Sequence, residues 1–297
     1  MHTIGDHEIH ENPRRDFLRT AMSIAAGAWL LPMSDRLLAT SGAPVLRAQR
    51  LAWAGVRLQL DSGTLFLDPL VNTDVWGPAL KDALTPLTDA TGDRFVLITH
   101  RHPDHCDPQA IQQALGDSGT LVYAAGAGVP NVRGVKMRAA GMYEPMLLGD
   151  FTATAVPAVD GYGDPQVSWI VSAAGKRIIH CGDTLWHGAW WHIGRQYGPF
   201  DAAFLPINGA RFSWRKPYSE VAAVMTAEQA VAAAVVIGAK LVVPIHYGVV
   251  GAEGYTEDPH AEEELHAYAR RRRVGVEILK PGAWLTWQPE TSSTPRR

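Results

Sequence analysis

The chain has 297 residues, room for one large domain or two small ones, and 46% of them are hydrophobic, enough for a sizeable core. Lys and Arg number 27 against 30 Asp and Glu, a net charge of −3, which gives no electrostatic footing for nucleic acid as a partner. No apolar run reaches the ~18 residues of a membrane-spanning helix, and the two cysteines, Cys106 and Cys181, make no disulfide framework.

Near the N-terminus, Arg14-Arg15-Asp16-Phe17-Leu18 stands before a short apolar stretch from Ala21 to Met33. The arrangement resembles a twin-arginine export signal, which predicts a signal over residues 1–43, the twin-arginine export machinery as a partner, and a periplasmic or other extracytoplasmic location. Ser41-Gly42-Ala43 ends in a small residue, but Pro44 follows it, so an uncleaved anchor is the alternative. No stable membrane span is expected unless the signal is retained.

From Pro44 a folded domain is expected over residues 44–290, with a disordered tail at 291–297. Residues 46–51, 56–60 and 64–67 read as short strands punctuated by Gly55 and Asp61-Ser62-Gly63. Residues 95–99 form a continuous apolar run fit for a buried strand. Asp107-Pro108 reads as an N-cap and first helical position, opening a helix to about Leu115. Strands follow at 121–123, 151–156, 167–173 and 176–181, with apolar runs at 200–206 and 241–245. Thr226-Ala227-Glu228-Gln229 is a capping box before an Ala/Val-rich helix ending near Gly238, and Asp258-Pro259 starts another helix. The late arginines 270–273 offset that helix's dipole rather than mark a nucleic-acid patch.

The richest cluster follows the buried strand: His100-Arg101-His102-Pro103-Asp104-His105, with four potential ligands in six residues. In extended chain His100 and His102 point the same way, and imidazole with carboxylate suits zinc, manganese or iron. The motif is similar to the signature of the metallo-β-lactamase superfamily. Later segments resemble its further motifs in order: Gly182-Asp183-Thr184 at a strand end, and Pro244-Ile245-His246 leaving a buried strand. Phe204 to Gly209, followed by Met225-Thr226, resembles the branch of L-ascorbate-6-phosphate lactonase-like and N-acylphosphatidylethanolamine phospholipase D-like proteins.

The resemblance implies a four-layer α/β/β/α sandwich and two divalent metal ions, zinc foremost, with manganese or iron as alternatives. It puts one metal on His100 and His102, the other on Asp104, His105 and His246, and Asp183 across both. A metal-bridging hydroxide would then cleave an ester, lactone or phosphodiester bond of a small-molecule substrate, with Asp104 orienting the nucleophile and moving its proton. The family expects one more histidine after Val156-Pro157-Ala158, but Asp160 stands there. Asp160 is the expected replacement ligand; a non-binding turn residue before Gly161 is the alternative.

Three further expectations concern the surroundings. Asp68 is expected beneath the metals, bonded to a ligand imidazole, or else as a simple strand-ending turn. His187 is a candidate for substrate binding, with Trp186, Trp190 and Trp191 as a pocket wall or as a helix packed into the core. Asn208 and Arg211 are placed in a loop suited to substrate contact, while His180, in mid-strand, is expected to point away. The cysteines read as small buried side chains beside the metal motifs, with a disulfide as the alternative. Rival functions are a non-catalytic metal- or ligand-binding member of the fold, and a β-lactam or nucleic-acid phosphodiester hydrolase.

Overall fold

The computed structural model describes residues 44–287, so the expected export signal at 1–43 and the expected disordered tail at 291–297 lie outside the described residues. In chain order the first half holds β1 (Arg47–Arg50), β2 (Val56–Leu60), β3 (Gly63–Leu67), β4 (Asp93–Leu97), α1 (Pro108–Leu115), β5 (Thr120–Ala124) and β6 (Lys136–Ala140). The second runs β7 (Pro145–Leu148), β8 (Phe151–Pro157), β9 (Val167–Ala173), β10 (Lys176–His180), α2 (Trp190–Tyr197) and β11 (Ala202–Pro206). Then come β12 (Arg211–Phe212), α3 (Ala227–Ile237), β13 (Leu241–Ile245), β14 (Tyr255–Thr256), α4 (Ala261–Arg272), β15 (Gly275–Val276) and β16 (Trp284–Thr286).

Two seven-stranded sheets result, ordered β16-β1-β2-β3-β4-β5-β6 and β15-β13-β11-β10-β9-β8-β7. Each is antiparallel at one end and parallel at the other. β3 to β6 pair in parallel in the first, as do β10, β11, β13 and β15 in the second. The last strand, β16, returns to pair with β1, so the C-terminal segment closes the first sheet.

Strand alternation explains the layers. Leu65, Leu67 and Leu97 of one sheet meet Trp169, Ile178, Phe204 and Val243 of the other in a shared core. Their neighbours Phe66 and Val96 face outward against α1, and Ile179, Leu205 and Val242 face outward with buried residues of α2, α3 and α4. Central strands are thus apolar on both faces, which is why they read as continuous apolar runs. The four-layer α/β/β/α sandwich is the architecture.

Differences from the sequence reading have local causes. β6 shows four exposed residues out of five, an edge strand with no apolar alternation to announce it. α4 begins at Ala261, because Asp258 caps a turn by accepting from the His260 amide. α2 is a helix packed by Trp190 and Ile193, with Trp191 left 48% exposed. Both cysteines are free and buried, with no disulfide between them. Among the described residues no helix is long and apolar enough to cross a membrane.

Asp107 does more than its predicted N-cap role. It accepts from Gln109 N of α1 and from the Val71 and Asn72 amides, at 2.8 and 2.7 Å, tying the loop after β3 to the helix. Asp107→Ala is expected to cost about 2 kcal/mol, the cap plus donors left poorly satisfied. Urea unfolding at neutral pH measures this.

Candidate metal centre

The strands that run in one direction release their polar residues at one edge of the sandwich, where parallel sheets leave a crevice beyond their carboxyl ends. Asp68 follows β3, the His100–His105 loop follows β4, Asp160 follows β8, Asp183 follows β10, Asn208 follows β11 and His246 follows β13. β8 shares the direction of β10 because each pairs antiparallel with β9.

Two donor groups form there. His100, His102, Asp160 and Asp183 each offer one atom within 4.8 Å of the others, and Asp104, His105 and His246 do the same. Asp183 Oδ2 stands 3.7 Å from His100 Nε2 and 3.9 Å from His246 Nε2, so one carboxylate reaches both groups. Asp160 Oδ2 is 3.7 Å from His102 Nδ1, and Asp104 Oδ2 is 3.9 Å from His105 Nε2.

The far side of each imidazole is fixed by a partner, which decides its tautomer. His105 Nδ1 donates to Asp68 Oδ2 at 2.8 Å, leaving Nε2 to face the group. Thr99 Oγ1 donates to the same Asp68 oxygen at 2.6 Å and lies 2.9 Å from His100 Nδ1, so the His100 ring donates there and turns Nε2 into the group, 2.9 Å from His102 Nδ1. His102 turns the other way: Asp164 holds its Nε2 at 2.9 Å, freeing Nδ1. The Asn208 carboxamide lies 3.1 Å from His246 Nδ1 and donates to Tyr255 Oη at 2.7 Å. Asp160 Oδ1 accepts from the Tyr162 and Asp164 amides, which aims Oδ2 at His102.

Buried polar atoms rarely go without partners. Three that do, His105 Nε2, Asp160 Oδ2 and Asp183 Oδ1, belong to these two groups. Burial pushes the Asp183 and Asp160 carboxyls above their ordinary range, the latter also through Asp183. Burial and the neighbouring imidazoles hold His100 and His246 well below theirs. Burial opposes the charged form of His105 too, yet Asp104 and Asp68 raise it to about 9. Imidazole nitrogens and carboxylate oxygens around one point are a donor set for cations, whose attraction offsets the burial of the charges.

The candidates around this centre sort as follows. Asp68 is buried beneath it and bonds His105 and Thr99. Asn208, the expected substrate contact, sits behind His246 and is absent from the lining of the cavity over the groups. Arg211 donates to the Glu220 and Gly209 carbonyls and does not line it either. His187 stacks on Trp190 with ring centroids 4.4 Å apart, also off that cavity. Of the tryptophans near His187, Trp190 packs into the core, Trp191 is exposed beside Trp186, and none of the three lines that cavity. His180 donates to the Ala54 carbonyl at 2.7 Å, joins neither group, and helps hold the Asp68 carboxyl low.

Trp53 escaped the sequence reading altogether. Its indole donates to Asp104 Oδ2 at 3.1 Å, its ring packs on His246 at 4.1 Å, and its carbonyl accepts from the His246 amide. Trp53, Asp68 and His246 all hold positive φ, at 58°, 42° and 57°, backbone strain of the kind that collects at functional sites. Only the strand-breaking Gly55 nearby hinted that this turn was unusual. The signal for Asp164 was its place in the Asp160–Asp164 turn.

Trp53→Phe keeps an aromatic ring but removes the N–H and part of the buried ring volume. It is expected to weaken metal binding at Asp104, His105 and His246 by about 10-fold or more, read by metal titration, and to lower thermal stability through the cavity it leaves. His187 gives a pH test. Burial lowers its pKa from 6.5 to about 4, so the unfolded chain takes up the proton first as pH falls. Its contribution to stability is full above the unfolded value and is lost between pH 6.5 and about 4. His187→Phe is expected to flatten the stability profile over that window in urea titrations at several pH values.

A family model described as a beta-lactamase superfamily domain matches residues 64–247. A UPF0173 metal-dependent hydrolase of Rubrobacter xylanophilus is 31% identical over 254 residues, spanning 80% of this chain and 94% of that protein. An uncharacterized protein of Mycobacterium tuberculosis is 27% identical over 79% of this chain and 68% of its own length. Among solved structures, the metallo hydrolase Igni18 of Ignicoccus hospitalis superposes with a TM-score of 0.61 at 22% identity, covering 83% of this chain and all 100% of that one. CmlA, a diiron β-hydroxylase of Streptomyces venezuelae, reaches a TM-score of 0.62 at 15% identity over 84% of this chain and 55% of its own. Such distant likenesses speak for the fold alone. With the family model over most of the folded region and a relative matched along nearly its whole length, the chain belongs to the metallo-β-lactamase superfamily, in the UPF0173 group of metal-dependent hydrolases.

Proposed function

We propose that this chain is a hydrolase that binds two divalent cations and cleaves an ester, lactone or phosphodiester bond of a small molecule. His100, His102 and Asp160 hold one cation, Asp104, His105 and His246 the other, and Asp183 both. The observation that carries the reading is the position of Asp183 Oδ2, within 3.7 and 3.9 Å of imidazoles from the two groups. Cations so placed supply Lewis acidity and a water of lowered pKa.

The chain's own residues supply orientation and proton transfer. The Trp53 indole fixes one oxygen of Asp104, so that carboxylate takes a proton from the attacking water and returns it to the leaving oxygen. Asp68 and Asp164 keep His105 and His102 in single tautomers. Asp160 in place of an imidazole adds a carboxylate to the first group, which makes manganese or iron(II) more competitive with zinc. The lactonase-like branch rests on residues 204–209 and Thr226. Export by the twin-arginine route rests on Arg14-Arg15 with Phe17-Leu18.

Metal analysis of protein from the exported fraction is expected to give two equivalents per chain, and Asp160→Ala about one. Two full equivalents in the Asp160→Ala protein would remove Asp160 from the ligand set. With metal restored, absence of turnover on lactone, ester and phosphodiester panels would favour the non-catalytic reading.

A further inference from the structure

We propose that the substrate of this centre is an uncharged carbonyl compound, an ester or lactone, that carries an aromatic ring next to the scissile bond. This rests on the hydrolase reading above and narrows it. A cavity of about 270 Å³ opens directly over the donor groups, with His102, Asp104, Asp183 and His246 as its polar floor. Its walls are aromatic: Trp76, Tyr162, Phe212 and Trp214. An apolar cavity of about 150 Å³ holds benzene, so this volume takes a ring plus a short acyl arm.

The rings form a connected belt. Tyr162 and Phe212 lie 4.7 Å apart, Phe212 and Trp214 5.0 Å, and buried Tyr255 joins Phe212 to Trp76 at 5.5 and 4.9 Å. Phe212 and Tyr255 of the belt stand on the small β12–β14 sheet and pack against the shared core. Trp214 is 50% exposed at the cavity mouth. A Cβ at Gly254 would meet its ring at 2.6 Å, so glycine there lets the indole lie flat on the backbone. Aromatic faces and edges favour another ring, by about 0.5–1.5 kcal/mol per pair beyond area burial.

Charge argues the rest. No Lys or Arg lines the cavity, whereas Asp104 and Asp183 do. Arg215 stacks over Tyr162 at 3.5 Å and donates to its carbonyl, but it lines the adjoining cavity rather than this one. Three carboxylates, Asp104, Asp160 and Asp183, offset most of the charge of two divalent cations. An anionic phosphodiester would therefore meet only the single positive charge those cations retain, with no Lys or Arg in the lining to add to it. A neutral carbonyl brings no charge to be met.

Ethyl phenylacetate, ethyl hexanoate and bis(4-nitrophenyl) phosphate form the test set for metal-loaded protein; the two esters share a leaving group. The expected kcat/KM for the phenyl ester is about 10-fold above the hexanoate, the scale of one or two ring contacts, with the phosphodiester last. Phe212→Leu keeps apolar volume and is expected to shrink the ester ratio to about 3-fold or less at unchanged metal content. Binding of phenylacetamide against hexanamide, followed by quenching of indole emission, reads the cavity without turnover and is expected to favour the phenyl compound. Equal values for the two esters, or preference for the phosphodiester, overturn the proposal and leave the hydrolase reading standing. If no substrate is turned over, the hydrolase reading fails. Preferential phenylacetamide binding then upholds the ring-binding cavity, and equal amide binding overturns it.

Discussion

Seven ionisable side chains, six of them buried, would repel or lose their charge without something to balance them, and this edge of the sandwich is built around that constraint. Asp183 carries most of it: a single carboxylate reaches imidazoles from β4 in one sheet and β13 in the other. The two sheets pack face to face over a shared core and release their donors at that one edge. The shared apolar core between the sheets and the donor set at its rim are therefore parts of one arrangement. Cation binding and folding stability are coupled in such a site.

The donors are held by a layer of partners beneath and behind them. Asp68 bonds His105 and Thr99, and Thr99 touches His100, so one buried carboxylate orients two imidazoles. Trp53 does the corresponding work on the other side, touching Asp104 through its indole and His246 through its ring and carbonyl. Trp53, Asp68 and His246 have strained backbone, and the surrounding hydrogen bonds keep them there.

The site joins an acidic donor set to an aromatic enclosure. Asp160 brings a carboxylate where an imidazole was expected, and its turn supplies Asp164 to hold His102 from behind. The same turn places Tyr162 in the cavity wall, its ring 5.7 Å from that of His102. A short segment after β8 thus shapes both the charge of the first donor group and the surface a substrate meets.

The sequence by itself determined the ingredients that lie close together along the chain. The His100–His105 run, the strand-end Asp183 and His246, and the capping residues Asp107 and Thr226 are local patterns, because each depends on the few residues around it. Strands buried on both faces were legible as apolar runs, whereas β6 and the two-residue strands carry too little periodicity to show. The tertiary structure alone decided which residues meet across long separations. It put Trp53 on Asp104 and His246, moved Asn208 behind a ligand, drew His187 off the cavity, and assembled a ring belt from Trp76, Tyr162, Phe212 and Trp214. The physical reason is that contacts between distant segments follow from the packing of whole sheets and helices, and no spacing along the chain encodes them.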